Sequence, residues 1–221
     1  IVSLVGSEMC IRDRMYIDQE NYFYYITTIN ENYTHPEMPK DCEEGIIKGM
    51  YVLSDNESYD VRLLGSGAIL REALKAKDIL FKFKIKAQVW SVTSFNLLRK
   101  DGMEIERYNQ LNPSGKQKLT YVEECFSDSN VPVIAATDYM RSYAEQIRPY
   151  IHSSYTTLGT DGYGRSDSRQ TLRDFFEVDS KSIARAAIYA LYKNDKIDKN
   201  QIENYYKELG IDSNKPNPWE I

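Results

Sequence analysis

The chain has 221 residues, with 28 lysines and arginines against 33 aspartates and glutamates, and its formal net charge is −5. This acidic balance argues against a dedicated nucleic-acid-binding protein. The hydrophobic fraction of 42% is typical of ordinary globular domains. No apolar stretch approaches the roughly 20 residues that would cross a bilayer. We therefore expect a cytoplasmic protein that binds neither nucleic acid nor membrane.

The three cysteines and two histidines of the chain limit its possible metal chemistry. Cys10, Cys42 and Cys125 are too far apart in sequence to form paired zinc knuckles, and we expect them to be reduced thiols. His35 and His152 have no partner that the sequence identifies, so we interpret both as ordinary loop histidines. The sequence thus predicts no metal site.

Residues 1–14 contain the segment SLVGSEMCIRDR, which resembles one reading frame of a transposase-adapter sequence used to prepare DNA sequencing libraries. We interpret residues 1–14 as a translated artefact and leave them out of the fold prediction. The alternative is an ordinary flexible N-terminus. Because the charged residues of this segment cancel, the net charge of the remainder is unchanged.

The stretch Tyr22–Ile29 is rich in aromatic and β-branched residues, which predicts a strand buried in a sheet. Its neighbours in that sheet must come from elsewhere, so we expect residues 15–32 to be the end of a preceding domain. Residues 33–44 are polar and contain two prolines, which is typical of an interdomain linker.

Alternating strand and helix patterns predict one α/β domain over residues 45–214, followed by a loosely ordered tail at residues 215–221. The predicted strands cover residues 49–54, 60–64, 87–92, 131–136 and 155–158. The first two are expected to pair as a hairpin around residues 55–57.

Helices are predicted between these strands. The first ends near Phe81, with Leu70, Leu74 and Ile79 on its buried face and Glu72 on its charged face. A polar helix or loop follows the strand at residues 87–92. Further helices are predicted over residues 119–126 and 139–147, after a cap at Ser180, and from a cap at Asp198 to Leu209. Thr137 or Asp138 is the predicted cap of the helix at residues 139–147.

The segment Gly65-Ser66-Gly67 lies between a predicted strand and a predicted helix, where backbone N–H groups can hold a phosphate. A dinucleotide-binding fingerprint needs a third glycine three residues later, and this chain has Leu70 there. We therefore favour a tight turn over a phosphate site.

The loop Gly159–Arg169 contains three glycines, two aspartates and two arginines. Arg165 and Arg169 are candidate anion contacts, because a guanidinium fork matches carboxylate or phosphate oxygens. The favoured alternative is a tight connection in which Asp167 or Ser168 caps a helix and the arginines pair with nearby acids.

Asn30, Glu31 and Asn32 directly follow the predicted strand at Tyr22–Ile29, and ligand sites of open α/β sheets collect at the carboxyl ends of strands. These residue types can orient a polar ligand, but they are equally common in turns and caps. The chain contains no P-loop, no G-x-S-x-G elbow and no H-E-x-x-H motif. It therefore offers no complete catalytic constellation.

Six blocks carry a family resemblance: YYITTINENYTHPEMP, EEGIIKGMY, LLGSGAILRE, SVTSFNLLRKDG, ATDYMRSYAEQIRPY and LGTDGYGRSDSRQTLRDFFEVD. In this order they resemble the C-terminal region of the homodimeric pyruvate dehydrogenase family, which is transketolase-like and depends on thiamine diphosphate. The resemblance implies a transketolase C-terminal-like domain with a mostly parallel sheet flanked by helices. It also implies that the last strand of a pyrimidine-binding domain precedes it.

The family decarboxylates pyruvate with thiamine diphosphate and Mg²⁺ and reductively acetylates the lipoyl group of a dihydrolipoyl acyltransferase. Its catalytic residues lie upstream of this region, so the resemblance implies no catalytic residue and no bound cofactor or metal in this chain alone. Asn30, Glu31 and Asn32 would lie at the rim of the substrate funnel. The alternatives are the C-terminal region of a transketolase or a 2-oxoglutarate dehydrogenase, or a non-catalytic interaction module.

Overall fold

The computed structural model describes residues 11–25, 32–54, 58–127 and 130–220. The chain divides into two compact units, Ile1–Glu37 and Met38–Ile221. Within the described ranges, no helix is both long and apolar enough to cross a membrane.

The first unit contains a short π-helix, Asp13–Ile17, and then an irregular backbone. Residues 22–25 are not in a strand, and Phe23 and Tyr25 are each 88% exposed. The predicted buried strand is therefore wrong for residues 22–25, while residues 26–29 lie outside the described residues. The physical reason is that a strand needs neighbours for its N–H and C=O groups, and the described part of this unit provides none.

The second unit is built on a five-stranded sheet with the order β1-β3-β2-β4-β5. The strands are β1 Met50–Ser54, β2 Val61–Ser66, β3 Ala87–Val92, β4 Val133–Ala136 and β5 Tyr155–Leu158. The pairs β2–β3, β2–β4 and β4–β5 are parallel, and β1 joins β3 in antiparallel orientation. This arrangement confirms the predicted mostly parallel sheet.

Strands β1 and β2 lie on opposite sides of β3, where Val52 faces Trp90 and Leu63 faces Val89. The predicted hairpin between them is therefore wrong, and its proposed turn at residues 55–57 lies outside the described residues. All six residues of β3 are buried. A strand buried along its whole length is stabilised most in the interior of the sheet, so β3 lies between β1 and β2.

The α-helices of this unit connect the strands and cover both faces of the sheet. They are α1 Glu43–Lys48, α2 Leu70–Lys82, α3 Phe95–Leu111, α4 Tyr121–Cys125, α5 Arg141–Glu145, α6 Arg169–Phe175, α7 Ser180–Lys193 and α8 Lys199–Leu209. Short 3₁₀ helices occupy Gly67–Ile69, Arg148–Tyr150 and Pro218–Glu220. The α/β layer architecture is therefore as predicted.

Each face of the sheet has its own hydrophobic core. On one face, α2 and α7 bury Ala73 and Ile188 among the side chains of β2 and β3. On the other face, Trp90 meets Phe126 edge-on with ring centroids 4.9 Å apart, in a core shared with α3, α4 and α5. Burial of this apolar surface is the main stabilising contribution to the unit.

The buried face of α2 differs from the predicted one. Ala73, Ala76 and Leu80 are fully buried, whereas the predicted stripe is only half-buried. Glu72 was expected on the charged face but is 5% exposed. Small alanines allow α2 to approach the sheet and α7 closely, which rotates the helix relative to a stripe of large side chains.

Two of the predicted helix caps are confirmed and two are wrong. Ser168 caps α6 and Asp198 caps α8, as predicted. Asp179, and not Ser180, caps α7. Helix α5 begins at Arg141, and neither Thr137 nor Asp138 caps it. The Arg141 N–H group instead donates a hydrogen bond to the carboxylate of Asp161 at 3.0 Å.

On each outer edge of the sheet, one side chain donates a hydrogen bond to a backbone carbonyl group. On β1 the Tyr121 hydroxyl donates to the carbonyl oxygen of Met50 at 3.0 Å. On β5 the Arg148 guanidinium donates to the carbonyl oxygen of Tyr155 at 3.0 Å.

The segment after α8 is not loose as predicted. The Lys215 ammonium donates to the carbonyl oxygen of Asp174 at 2.6 Å, and the ring of Trp219 lies 5.1 Å from the guanidinium carbon of Arg141. The prediction is therefore wrong for residues 215–220, and Ile221 lies outside the described residues. Composition alone predicts looseness because it cannot identify contacts with distant residues.

Candidate functional site

The topology of the sheet places a switch point at the carboxyl ends of β2 and β4, where a crevice is expected. These strands are parallel neighbours, but the chain leaves β2 toward β3 on one side and leaves β4 toward β5 on the other. Ligand sites of open α/β sheets form at such switch points, because the diverging connections leave a gap. We call this gap the switch-point crevice.

Gly67 and Asp138 approach each other closely at the switch-point crevice. Gly67 has a φ of +55°, and a Cβ atom at this position would lie 3.6 Å from Oδ1 of Asp138. The neighbouring Thr137 is fully buried, and its hydroxyl accepts a hydrogen bond from the Tyr139 N–H group at 3.2 Å. The Thr160 hydroxyl donates to the carbonyl oxygen of Asp138 at 2.6 Å. A hydrogen bond thus links the segments that follow β4 and β5 beside the crevice.

The electrostatics of the crevice centre on Asp138. Desolvation raises the pKa of its carboxyl group, although a hydrogen bond from its own backbone amide and the charge of Arg173 oppose this shift. A carboxyl group with a raised pKa is protonated more readily than an ordinary aspartate. When protonated it can both donate and accept a hydrogen bond with a neutral polar group. When ionised it repels an anion.

A second polar cluster is centred on Glu72 of α2. Its carboxylate lies 2.9 Å from the Lys75 ammonium, 3.4 Å from the Arg173 guanidinium and 3.0 Å from the Ser180 N–H group. Burial acts to raise the pKa of Glu72, but Lys75, the Ser180 amide and Arg173 together hold it below its usual value. These groups and Gln170 border a cavity of about 410 Å³. Because Glu72 is surrounded by its partners, we assign it a structural role.

The turn after β2 fits the favoured interpretation of the Gly65-Ser66-Gly67 segment. A Cβ atom on Gly65 would lie 2.6 Å from the Cα of Leu70, so the strand and the following helix approach too closely for a side chain. This close approach is a packing reason for a glycine, and it requires no phosphate.

Of the predicted anion contacts, Arg165 lies on the exposed loop between β5 and α6, and Arg169 is the exposed first residue of α6. The guanidinium carbon of Arg165 is 5.6 Å from the centroid of the Phe175 ring. Their role in binding an anion stays a prediction. Of the predicted funnel residues, Asn32 is exposed in the first unit, while Asn30 and Glu31 lie outside the described residues.

Sequence reasoning missed the hydrogen bonds that Thr160 makes with Asp138 and Asp161 makes with Arg141. The available signal was their position directly after predicted strands, where functional side chains collect. Asp138 was instead interpreted as a helix cap. Across the described ranges, no group of three or more His, Cys, Asp or Glu side chains could hold a metal ion.

The chain belongs to the family of transketolase-like C-terminal domains, and its mostly parallel sheet flanked by helices is the fold expected of that family. The model of the transketolase-like TK C-terminal domain family matches residues 49–179. This range begins immediately before β1 and ends at the Asp179 cap of α7.

Curated relatives that the chain matches include pyruvate dehydrogenase E1 components. The protein of Pseudomonas aeruginosa is 51% identical over 93% of this chain and 24% of its own length. That of Escherichia coli K12 is 46% identical over 93% of this chain and 24% of its own length. The chain therefore spans about a quarter of these relatives.

Solved transketolases resemble the chain more distantly. The transketolase from Leishmania mexicana has a TM-score of 0.48 and 19% sequence identity, and the match covers 68% of this chain and 19% of that one. The family assignment depends on the sequence matches alone.

Proposed function

We propose that this chain is the C-terminal domain of a pyruvate dehydrogenase E1 component. The whole enzyme would decarboxylate pyruvate and reductively acetylate the lipoyl group of a dihydrolipoyl acyltransferase, so that the complex releases CO₂ and forms acetyl-CoA. The observation that carries this proposal is the 51% identity, over 93% of the chain, to a protein of that name. Identity at this level over nearly the whole chain favours a shared role for the domain.

Thiamine diphosphate and Mg²⁺ are part of this proposal for the whole enzyme, but the described residues of this chain do not fit them. Mg²⁺ needs several oxygen ligands, and the described residues offer no cluster of three His, Cys, Asp or Glu side chains. At the switch-point crevice, the desolvated carboxyl group of Asp138 would repel a diphosphate when ionised. We therefore assign no step of the reaction to these residues.

The proposed role of the domain is to complete the enzyme rather than to hold its cofactor. The exposed aromatic side chains of residues 22–25 support this role, because large apolar groups exposed together mark surfaces that another polypeptide covers. We propose that the whole enzyme is a cytoplasmic homodimer and that its partner is the acyltransferase.

The test starts from the full coding sequence read upstream of Met15. The protein that it encodes should consume pyruvate and acetylate a lipoyl acceptor in the presence of thiamine diphosphate and Mg²⁺. Isothermal titration of the 221-residue chain with the same cofactors should show no binding. Turnover of 2-oxoglutarate or of ketose phosphates instead of pyruvate would overturn the proposal in favour of the related enzymes. Lack of all three activities would favour an interaction module.

A further inference from the structure

The segment after α8 is anchored at its start by Lys215. Its ammonium group donates to the carbonyl oxygen of Asp174 at 2.6 Å and lies 3.3 Å from the Asp174 carboxylate. Asp174 is in the last turn of α6, where the helix dipole favours a positive charge. Lys215 is half-buried by these contacts. The segment is thereby fixed to the end of α6.

The same segment is anchored again at Trp219, against the glycine-rich loop that follows β5. A Cβ atom on Gly162 would lie 3.3 Å from both the Cα and the Cβ of Trp219, and Gly162 has a φ of +95°. A side chain at position 162 would therefore push the segment away, and the backbone there favours glycine. The Trp219 ring also lies 5.1 Å from the guanidinium carbon of Arg141, within cation–π range.

The loop residues next to Gly162 connect this anchor to the switch-point crevice. Asp161 holds Arg141 through the backbone N–H group at 3.0 Å and through an ion pair with Nε at 3.2 Å. Thr160 donates its N–H group to the carbonyl oxygen of Tyr139 at 2.9 Å and its hydroxyl to that of Asp138 at 2.6 Å. Consecutive residues of one loop thus link the Trp219 contact to Asp138.

From these contacts we infer that residues 215–219 form a strap that holds the start of the glycine-rich loop, and through it Asp138, in place at the crevice. An irregular loop has a high conformational entropy, which contacts at both ends reduce. The contact of the strap with this loop is made at Gly162, in the first part of the loop. Tyr163 is 89% exposed, and no described atom lies within 4 Å of a Cβ placed on Gly164. The strap is therefore a conformational device that acts on the start of this loop.

Amide hydrogen exchange of the 221-residue chain tests the strap. In the Trp219→Ala variant, the amides of Thr160 and Arg141 should exchange roughly tenfold faster, because the indole no longer packs against the Arg141 guanidinium, which is ion-paired with Asp161 of the loop. Gly162→Ala should have the same effect, because its added Cβ would push Trp219 away from the loop. Amides of β3 should be unchanged in both variants, which shows that the domain remains folded.

The matched control is Tyr163→Ala, which removes an exposed aromatic ring from the same loop without touching the strap. Its exchange rates at Thr160 and Arg141 should equal those of the unmodified chain. Equal exchange rates at Thr160 and Arg141 in Trp219→Ala and in the unmodified chain would overturn the proposal of a strap. So would an acceleration in Tyr163→Ala as large as that in Trp219→Ala.

Tryptophan fluorescence tests the other anchor. The chain has two tryptophans, so Trp90→Phe leaves Trp219 as its single reporter. Adding Lys215→Ala should raise the acrylamide quenching constant of Trp219 about twofold, because one end of the strap is released. The control is Lys199→Ala, which removes a lysine whose side chain is 77% exposed. A quenching constant that is unchanged by Lys215→Ala would contradict the two-anchor arrangement.

Discussion

At the scale of single residues, Glu72 shows how one buried carboxylate joins three helices. It lies on α2, contacts Arg173 of α6 and accepts the Ser180 N–H group at the start of α7. A helical projection of α2 places Glu72 among charged residues and predicts a solvated side chain. The sequence could not predict its burial, because Arg173 and Ser180 are about a hundred positions away.

We expect Glu72→Gln to lower the free energy of unfolding by roughly 2 kcal/mol, because it leaves the Arg173 guanidinium without its buried counter-charge. The pKa of Glu72 is lowered in the folded chain, so its stabilising contribution is present above about pH 4.3, the usual glutamate value. That contribution is lost as the pH falls through the lowered pKa. Urea unfolding of both chains at a series of pH values measures the difference.

The control for this prediction is Glu44→Gln, which removes an exposed carboxylate 2.8 Å from the Lys48 ammonium on α1. Exposed pairs of this kind contribute little, so the urea midpoint should not change. The role given to Glu72 would be contradicted by equal midpoints of the Glu72→Gln and unmodified chains at pH 7.

At the scale of elements, the sequence predicts best the features that depend on residues close together along the chain. Strand β3 and strand β5 have the predicted bounds, because runs of buried apolar or β-branched residues identify strands directly. The order of strands is not local, and the predicted hairpin of β1 with β2 failed for this reason. The cap of α5 failed similarly, since Asp161 lies 20 positions after Arg141.

The contact of α3 with the 3₁₀ helix after α5 gives a prediction at this scale. A Cβ atom on Gly102 would lie 2.1 Å from Cζ of Tyr150, and that ring is buried and cannot move aside easily. Gly102→Ala should therefore destabilise the unit by about 1–3 kcal/mol through overpacking. This effect outweighs the gain of about 1 kcal/mol that alanine has over glycine inside a helix.

Thermal unfolding measures this change, and Gly115→Ala is its matched control. A Cβ atom on Gly115 would meet its nearest neighbour at 3.4 Å, an ordinary contact. The control should unfold at the temperature of the unmodified chain. A Gly102→Ala chain that is as stable as the control would show that Tyr150 shifts freely, contrary to its tight packing.

At the scale of the whole molecule, the sequence predicted the second unit better than the first. Its fold class and family could be predicted because several long blocks and a strand–helix alternation point to the same domain. The switch-point crevice could not, since it depends on which strands become neighbours. In the first unit, aromatic composition predicted burial at residues 22–25, but burial also needs a surface to pack against.

The exposed aromatic residues of the first unit should make the isolated chain bind hydrophobic dyes and associate with itself. Replacing both Phe23 and Tyr25 by serine should lower the fluorescence of a bound hydrophobic dye about twofold and reduce self-association in sedimentation runs. The control is Phe81→Ser, which removes one isolated ring that is 73% exposed. Equal dye fluorescence in the double variant and the unmodified chain would show that these aromatic groups do not form an adhesive surface.

The side chains that cap the two sheet edges have a consequence for polymerisation. An incoming strand would need the carbonyl groups of Met50 or Tyr155, but the Tyr121 hydroxyl and the Arg148 guanidinium already occupy them. Burial, above all, raises the pKa of Tyr121, so its hydroxyl keeps its proton and remains a donor in alkaline solution. A further strand that pairs with Met50 or Tyr155 would therefore compete with a native hydrogen bond. At these two positions the sheet edges are less available for templated, strand-by-strand aggregation.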